Sequence, residues 1–123
     1  MKIRIKGNYV RYRLTRTEVE KFSQEGYLEE ETEFLSGKLV YALQAKPGLD
    51  ELDIDMTGNR ITLFFPDSEK ESWYKSERVG YERLLTLPNG HKAGILLEKD
   101  FVCLDNVQED QSDNYPNPNA IEQ

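Results

Sequence analysis

Alternation of apolar and polar residues with a period of two runs through most of the first hundred positions, and helical spacing interrupts it twice. In "KIRIKGNYVRYRL" the polar Gly7-Asn8 pair separates two such runs, and a loop of two residues opening with glycine suits a type II′ hairpin. That turn pairs Lys6 with Tyr9, Ile5 with Val10, Arg4 with Arg11, Ile3 with Tyr12 and Lys2 with Arg13. Ile3, Ile5, Val10, Tyr12 and Leu14 then share a core-facing side. Lys2, Arg4, Lys6, Arg11 and Arg13 share the other.

Helical punctuation follows. Thr15 and Glu18 have capping-box spacing, Leu14 and Val19 fit a hydrophobic staple, and Gly26 closes the segment. A second hairpin, "YLEEETEFLSGKLVYALQAK", turns at Ser36-Gly37. The same order then recurs. Gly58-Asn59 lies 51 residues after Gly7-Asn8, between "LDIDMT" and "RITLFF", and pairs Met56 with Ile61, Ile54 with Leu63 and Leu52 with Phe65. Ser68 and Glu71 repeat the capping-box spacing, Trp73 stands 51 residues after Phe22, and a last hairpin turns around Asn89-Gly90, with Pro88 in or beside its loop.

The pattern predicts an α+β fold, mostly antiparallel β, made by duplication of a ββαββ unit over residues 1–46 and 51–99. Eight strands and two short helices imply a curved sheet or an eight-stranded barrel, since closure removes exposed edges; two four-stranded layers packed face to face are the alternative. Tyr12, Phe22, Phe34, Phe65 and Trp73 are the expected core aromatics.

Composition changes this picture at the end of the chain. "DNVQEDQSDNYPNPNAIEQ" carries five acids and no base, so the globular domain is expected over 1–104 and an acidic flexible tail over 105–123. With 123 residues, roughly 65% of the unfolded surface can be buried, enough for one modest core. The single Cys103 excludes an intrachain disulfide. A net charge of −7 argues against nucleic acid as a partner, and no apolar run is long enough for a membrane span. The basic start has no apolar leader core, which makes a cytoplasmic address the expectation.

Against that negative total, the cationic face of the first hairpin stands out. Like charges directly across a ladder cost stability unless anions answer them. Alternation places Glu29, Glu31 and Glu33 on one strand face and Asp53 with Asp55 on another, so these acids are the candidate counter-face to Arg4 and Arg11. Cross-strand pairs of this kind contribute about 0.2 to 1 kcal/mol each. An exposed cationic face with Tyr9, and with Tyr27 also facing out, instead offers a contact surface to an acidic protein partner or to the chain's own tail. A third reading clamps phosphate between Lys2, Arg4, Arg11 and a cation held by Glu29, Glu31 and Asp53.

The segments "MKIRIKGNYVRYRLTRTEVEKF" and "EKDFVCLDNVQEDQSDNYPNP" resemble a small uncharacterised bacterial protein family, over nearly the whole chain. That resemblance implies no activity and lends no functional residue. Carboxylates and cations in a duplicated eight-stranded barrel are also similar to the triphosphate tunnel enzymes. Their first strand carries a glutamate pair followed by a lysine, and "KIRIK" holds no acid.

Smaller candidates read more plainly. His91 stands alone beside an Asn-Gly turn, and Cys103 in "DFVCLD" reads as a buried, inert thiol. "EDQSDN" lacks the glycine and terminal glutamate of a calcium loop, and "NYPNP" offers Tyr115 in an extended segment. Glu30 falls on the apolar side with Leu28, Thr32, Phe34, Leu39 and Tyr41; there it is either an edge residue reaching water or a perturbed acid in a pocket. No catalytic residue, metal site or cofactor is assigned. A non-enzymatic binding or accessory domain acting through a charged β surface is the expected role.

Overall fold

In the computed structural model, which describes residues 1–100, the strands are β1 (Lys2–Lys6), β2 (Tyr9–Leu14), β3 (Tyr27–Phe34), β4 (Gly37–Lys46), β5 (Asp53–Thr57), β6 (Arg60–Pro66), β7 (Gly80–Thr86) and β8 (Lys92–Lys99). Helix α1 (Arg16–Glu25) follows β2, and a tight turn, Asp67–Glu69, leads from β6 into helix α2 (Lys70–Lys75). Cys103, Tyr115, "EDQSDN" and the acidic tail lie outside the described residues.

The first hairpin has the expected register, from Lys2 opposite Arg13 to Lys6 opposite Tyr9. Gly7 supplies the positive φ of 55° that a primed turn demands of its first residue. The Gly58-Asn59 hairpin also keeps its expected pairs, Ile54 with Leu63 and Met56 with Ile61, although Leu52 falls just before the strand. The third hairpin corrects the sequence reading. Phe34 pairs with Gly37, so Leu35-Ser36 forms its turn rather than Ser36-Gly37. A slip of two residues leaves every side chain on its face, which is why alternation could not detect it. In the last hairpin Pro88 belongs to the loop, which runs from 87 to 91 between Thr86 and Lys92.

The strands form two four-stranded sheets, β1-β2-β8-β7 and β3-β4-β6-β5, and no closed barrel. Each sheet joins two antiparallel hairpins through a parallel central pair, β2 with β8 and β4 with β6. The antiparallel expectation therefore holds within hairpins and fails between them. The reason is compositional. "YVRYRL", "KAGILLEK", "GKLVYALQAK" and "RITLFFP" carry most of the apolar residues and take the centres. "KIRIK", "YLEEETEF", "DIDMT" and "GYERLLT" are left at the edges, where charge discourages further pairing. All four central strands are the second strands of their hairpins, so neighbours at the centre run parallel. Exchanging the two ββαββ halves maps one sheet order onto the other.

One core lies between the sheets. Tyr12, Leu14, Ile95 and Leu97 come from one sheet, Leu43, Leu63 and Phe65 from the other, and Val19, Phe22 and Trp73 from the helices. The Tyr12 hydroxyl crosses the core to donate to the Ile61 carbonyl at 3.3 Å. Phe65 packs its ring 5.6 Å from both Phe22 and Trp73, the aromatics that the repeat placed in matching positions. Phe34, expected in the core, is 61% exposed, because β3 carries it past the end of the packed layer.

Helix α1 is capped as its sequence predicts. Thr15 and Glu18 form the complete capping box, and Gly26 ends the helix at φ 73° with its N–H on the Phe22 carbonyl. The matching Ser68/Glu71 expectation fails. Pro66 starts the tight turn at once, and α2 begins at Lys70 with no side-chain cap; Lys70 instead reaches back to Asp67 at 2.8 Å.

Candidate functional site

Alternation puts Lys2, Arg4 and Lys6 of β1 on the outer face of the first sheet, beside Tyr9, Arg11 and Arg13 of β2. The parallel register continues that face onto β8, where Gly94 stands opposite Tyr9, Leu96 opposite Arg11 and Glu98 opposite Arg13. Tyr9 lies flat across Gly94: a Cβ built there would come within 2.6 Å of the tyrosine ring. The sheet thus leaves a seat for one aromatic ring within its row of cations.

The counter-charge comes from an unexpected strand. Glu98 Oε2 accepts from Arg11 Nε at 2.9 Å and from Arg13 Nε at 2.7 Å. Just past β8, Asp100 reaches Lys2 Nζ at 2.8 Å and stands 3.9 Å from Arg13. The proposed acidic counter-face is elsewhere. Glu29, Glu31 and Glu33 of β3, with Asp53 and Asp55 of β5, project from the outer face of the other sheet and do not meet Arg11. Glu29 pairs with Arg60 at 3.0 Å and Glu31 with Lys38 at 3.1 Å, while Glu33 stands opposite Lys38 in register. Asp53 accepts from the Ile54 backbone at 2.9 Å, and Asp55 from the Thr57 hydroxyl at 3.1 Å.

Tyr27 belongs to that second face rather than to the surface around Arg11. Its hydroxyl donates to Glu29 at 2.7 Å and accepts from Arg60 at 2.6 Å. The bond from Tyr27 and the guanidinium of Arg60 hold the Glu29 carboxyl below its usual range, and Arg60 rises correspondingly through Glu29. Partial burial and the bond to Glu29 push the Tyr27 phenol up.

Glu30 is an edge residue, 45% exposed at its side chain, and binds the α-ammonium of Met1 at 3.0 Å. Glu18 shares that ammonium, and the Met1 side chain behind it is buried. His91 is exposed and its backbone N–H donates to the Asn89 side chain at 2.9 Å. Among the described residues, no three His, Cys, Asp or Glu side chains are grouped to hold a metal ion. No helix among them is long and apolar enough to cross a membrane.

Glu98 and Asp100 were missed by the sequence reading, as was Arg60. The sequence signal for Glu98 and Asp100 is the alternation of "GILLEKD", and it acquires meaning once β8 is known to lie parallel to β2. The chain belongs to a family of unknown function, DUF7009, whose model matches residues 1–119. No curated protein and no solved structure matches it.

Proposed function

We propose that this chain is a non-catalytic binding domain whose contact surface is the outer face of the first sheet, and that its partner is an acidic protein segment. One observation carries the reading: among the described residues six cations, Lys2, Arg4, Lys6, Arg11, Arg13 and Lys92, share that face with three acids, Glu82, Glu98 and Asp100, in a chain of net charge −7. The excess is positive where the molecule as a whole is negative. Tyr9 supplies an aromatic contact amid the arginines, a combination typical of interface centres. The chain's own acidic sequence is the rival occupant of that face, on which Asp100 already bonds Lys2.

A phosphate-handling tunnel enzyme fits less well. Such an enzyme needs cations and carboxylates lining one concavity, and here Lys2, Arg4 and Arg11 lie on the opposite outer face from Glu29, Glu31 and Asp53, in two sheets that do not close. The repeated ββαββ order is read as duplication of one ancestral unit.

Titration of the isotope-labelled full chain with poly-glutamate tests the proposal. Amide shifts are expected on residues 2–13 and 94–98, fading at about 0.5 M salt as exposed charges are screened. They should vanish in the pair Arg4→Glu with Tyr9→Ala. No shifts, or shifts centred on the helices, would remove the reading.

A further inference from the structure

The helices lie at one end of the sandwich and the hairpin turns at the other, and its two long sides differ in a way that suggests a partner. On one side the edge strands are β1 and β3. The Met1 ammonium just before β1 meets Glu30 on β3 at 3.0 Å, so these two edges lie one above the other and level. On the other side β7 lies over β5, where Arg83 donates to the Leu52 carbonyl at 2.7 Å. Among the described residues each of the four edge strands has a hydrogen-bonded neighbour on one side only.

The β1 edge presents Lys2, Arg4 and Lys6 outward, and the β3 edge presents Glu29, Glu31 and Glu33 outward. Both rows have three charges at a spacing of two residues. On their inner sides the same edges carry the apolar residues that the core leaves uncovered, Ile5 at 52% and Phe34 at 61% exposure. An edge with cations on one side and an aliphatic residue on the other complements an edge with carboxylates and an aromatic.

We propose that two copies of this chain pair as a closed dimer in which β1 of each adds to β3 of the other, about a twofold axis parallel to the strands. Such an axis turns the molecule over, so the first sheet of one copy meets the second sheet of its mate in the same layer. Outer face continues outer face, and both joints form at once, giving two eight-stranded sheets. From their pairings, β1 and β3 both run from the helix end towards the hairpin turns, so the added strands are parallel. At that level Lys2 stands beside Glu31 and Arg4 beside Glu33, Lys6 lies diagonal to Glu33, and Ile5 is covered beside Phe34. Glu29 and Glu31 use Oε1 for Arg60 and Lys38, and about two-fifths of each side chain remains exposed to receive a second cation.

Charge also rejects the alternatives. A twofold axis normal to the sheets sets β1 against β1 and β3 against β3, which brings like charges together. On the opposite side, Glu82 of β7 would meet Asp53 and Asp55 of β5, so that side stays open and the assembly closes at two copies.

Sedimentation of the full chain from about 1 to about 500 µM, in low salt, tests this. A monomer–dimer equilibrium that weakens with salt is expected. Lys6→Glu and Glu33→Lys should each raise the dissociation constant at least tenfold, because each change enters the dimer twice. The double variant carrying both should recover most of the affinity, since the exchanged charges meet across the joint; all three variants should melt like the parent when dilute. A monomer at every concentration overturns the proposal. So does a dimer indifferent to both reversals, or one weakened by both that the double variant fails to rescue.

Discussion

Arg13 and Glu98 stand directly opposite one another on the parallel strands β2 and β8, with Nε and Oε2 2.7 Å apart. The same oxygen serves Arg11, so one carboxylate, 13% exposed at its side chain, bridges two guanidinium groups in the middle of a cationic sheet face. Removing that charge leaves Arg11 in a partly desolvated row without its counter-ion, and Arg13 with only the longer contact to Asp100. Glu98→Gln is therefore expected to destabilise the fold by about 2 to 3 kcal/mol. Denaturant melts check the loss. Because the face becomes more positive, poly-glutamate should bind the folded variant more tightly than the parent; weaker binding would detach the arginines from the proposed contact surface.

A second expectation concerns pH. Burial alone raises the Glu18 carboxyl, but hydrogen bonds from the Met1 ammonium and the Thr15 backbone outweigh it and leave Glu18 below its ordinary 4.5. Burial alone lowers the Met1 ammonium, but Glu18 and Glu30 outweigh it and leave the group above its ordinary 8.0. A depressed acid stabilises the fold above its unfolded value, and that stability is lost as pH falls through the folded one. A raised amine stabilises the fold below its unfolded value, and that stability is lost as pH rises through the folded one. The melting temperature should therefore fall below about pH 4.5 and again above about pH 8. In Glu18→Gln both limbs should be shallower, with a lower plateau between them. An unchanged pH profile would mean the pair contributes nothing.

Core substitutions should separate the two phenylalanines that alternation treats alike. Phe65 is fully buried between Phe22 and Trp73, so Phe65→Ala is expected to cost about 3 to 5 kcal/mol. Phe34→Ser, at an exposed position, should stay within about 0.5 kcal/mol when measured at low protein concentration. Urea midpoints of the two variants decide it; equal losses would place Phe34 in a packed layer after all.

Phe34 also shows where sequence reading runs out. Alternation reports which side of a strand a residue faces, and it did so for Ile5 and Phe34, but it says nothing of how far along the strand the opposing layer extends. Local chemistry was legible: Gly7 and Gly58 fixed two registers, and Thr15, Glu18 and Gly26 bounded α1, because each acts over a few residues. The parallel pairs Arg13/Glu98 and Leu43/Leu63 were not, since they join segments that no turn connects. The cationic face was correctly grouped for that reason and wrongly matched to Glu29 and Asp53. Its true counter-ion sits 85 residues from Arg13, at a distance where only the assembled sheet decides.

Gly94 provides a test of the contact surface that leaves its charges untouched. The residue is buried under the Tyr9 ring, and a Cβ there would come to 2.6 Å from Cδ1 and 2.9 Å from Cε1. No real structure holds such contacts, so Gly94→Ala must lift the ring off the sheet; Leu84, whose Cδ2 would be 3.4 Å away, limits the room to shift. The displaced tyrosine loses its seat while Lys2, Arg4, Lys6, Arg11 and Arg13 keep theirs. If Tyr9 works with the cations to grip an acidic segment, Gly94→Ala should weaken poly-glutamate binding about fivefold, roughly one kcal/mol, the size of a single aromatic contact. Its salt dependence should not change, because the number of cations engaged is the same. Fluorescence anisotropy at two salt concentrations reads both quantities. A fall in affinity with a flattened salt response would mean that the substitution has disturbed the arginine row, and full affinity would remove Tyr9 from the binding surface.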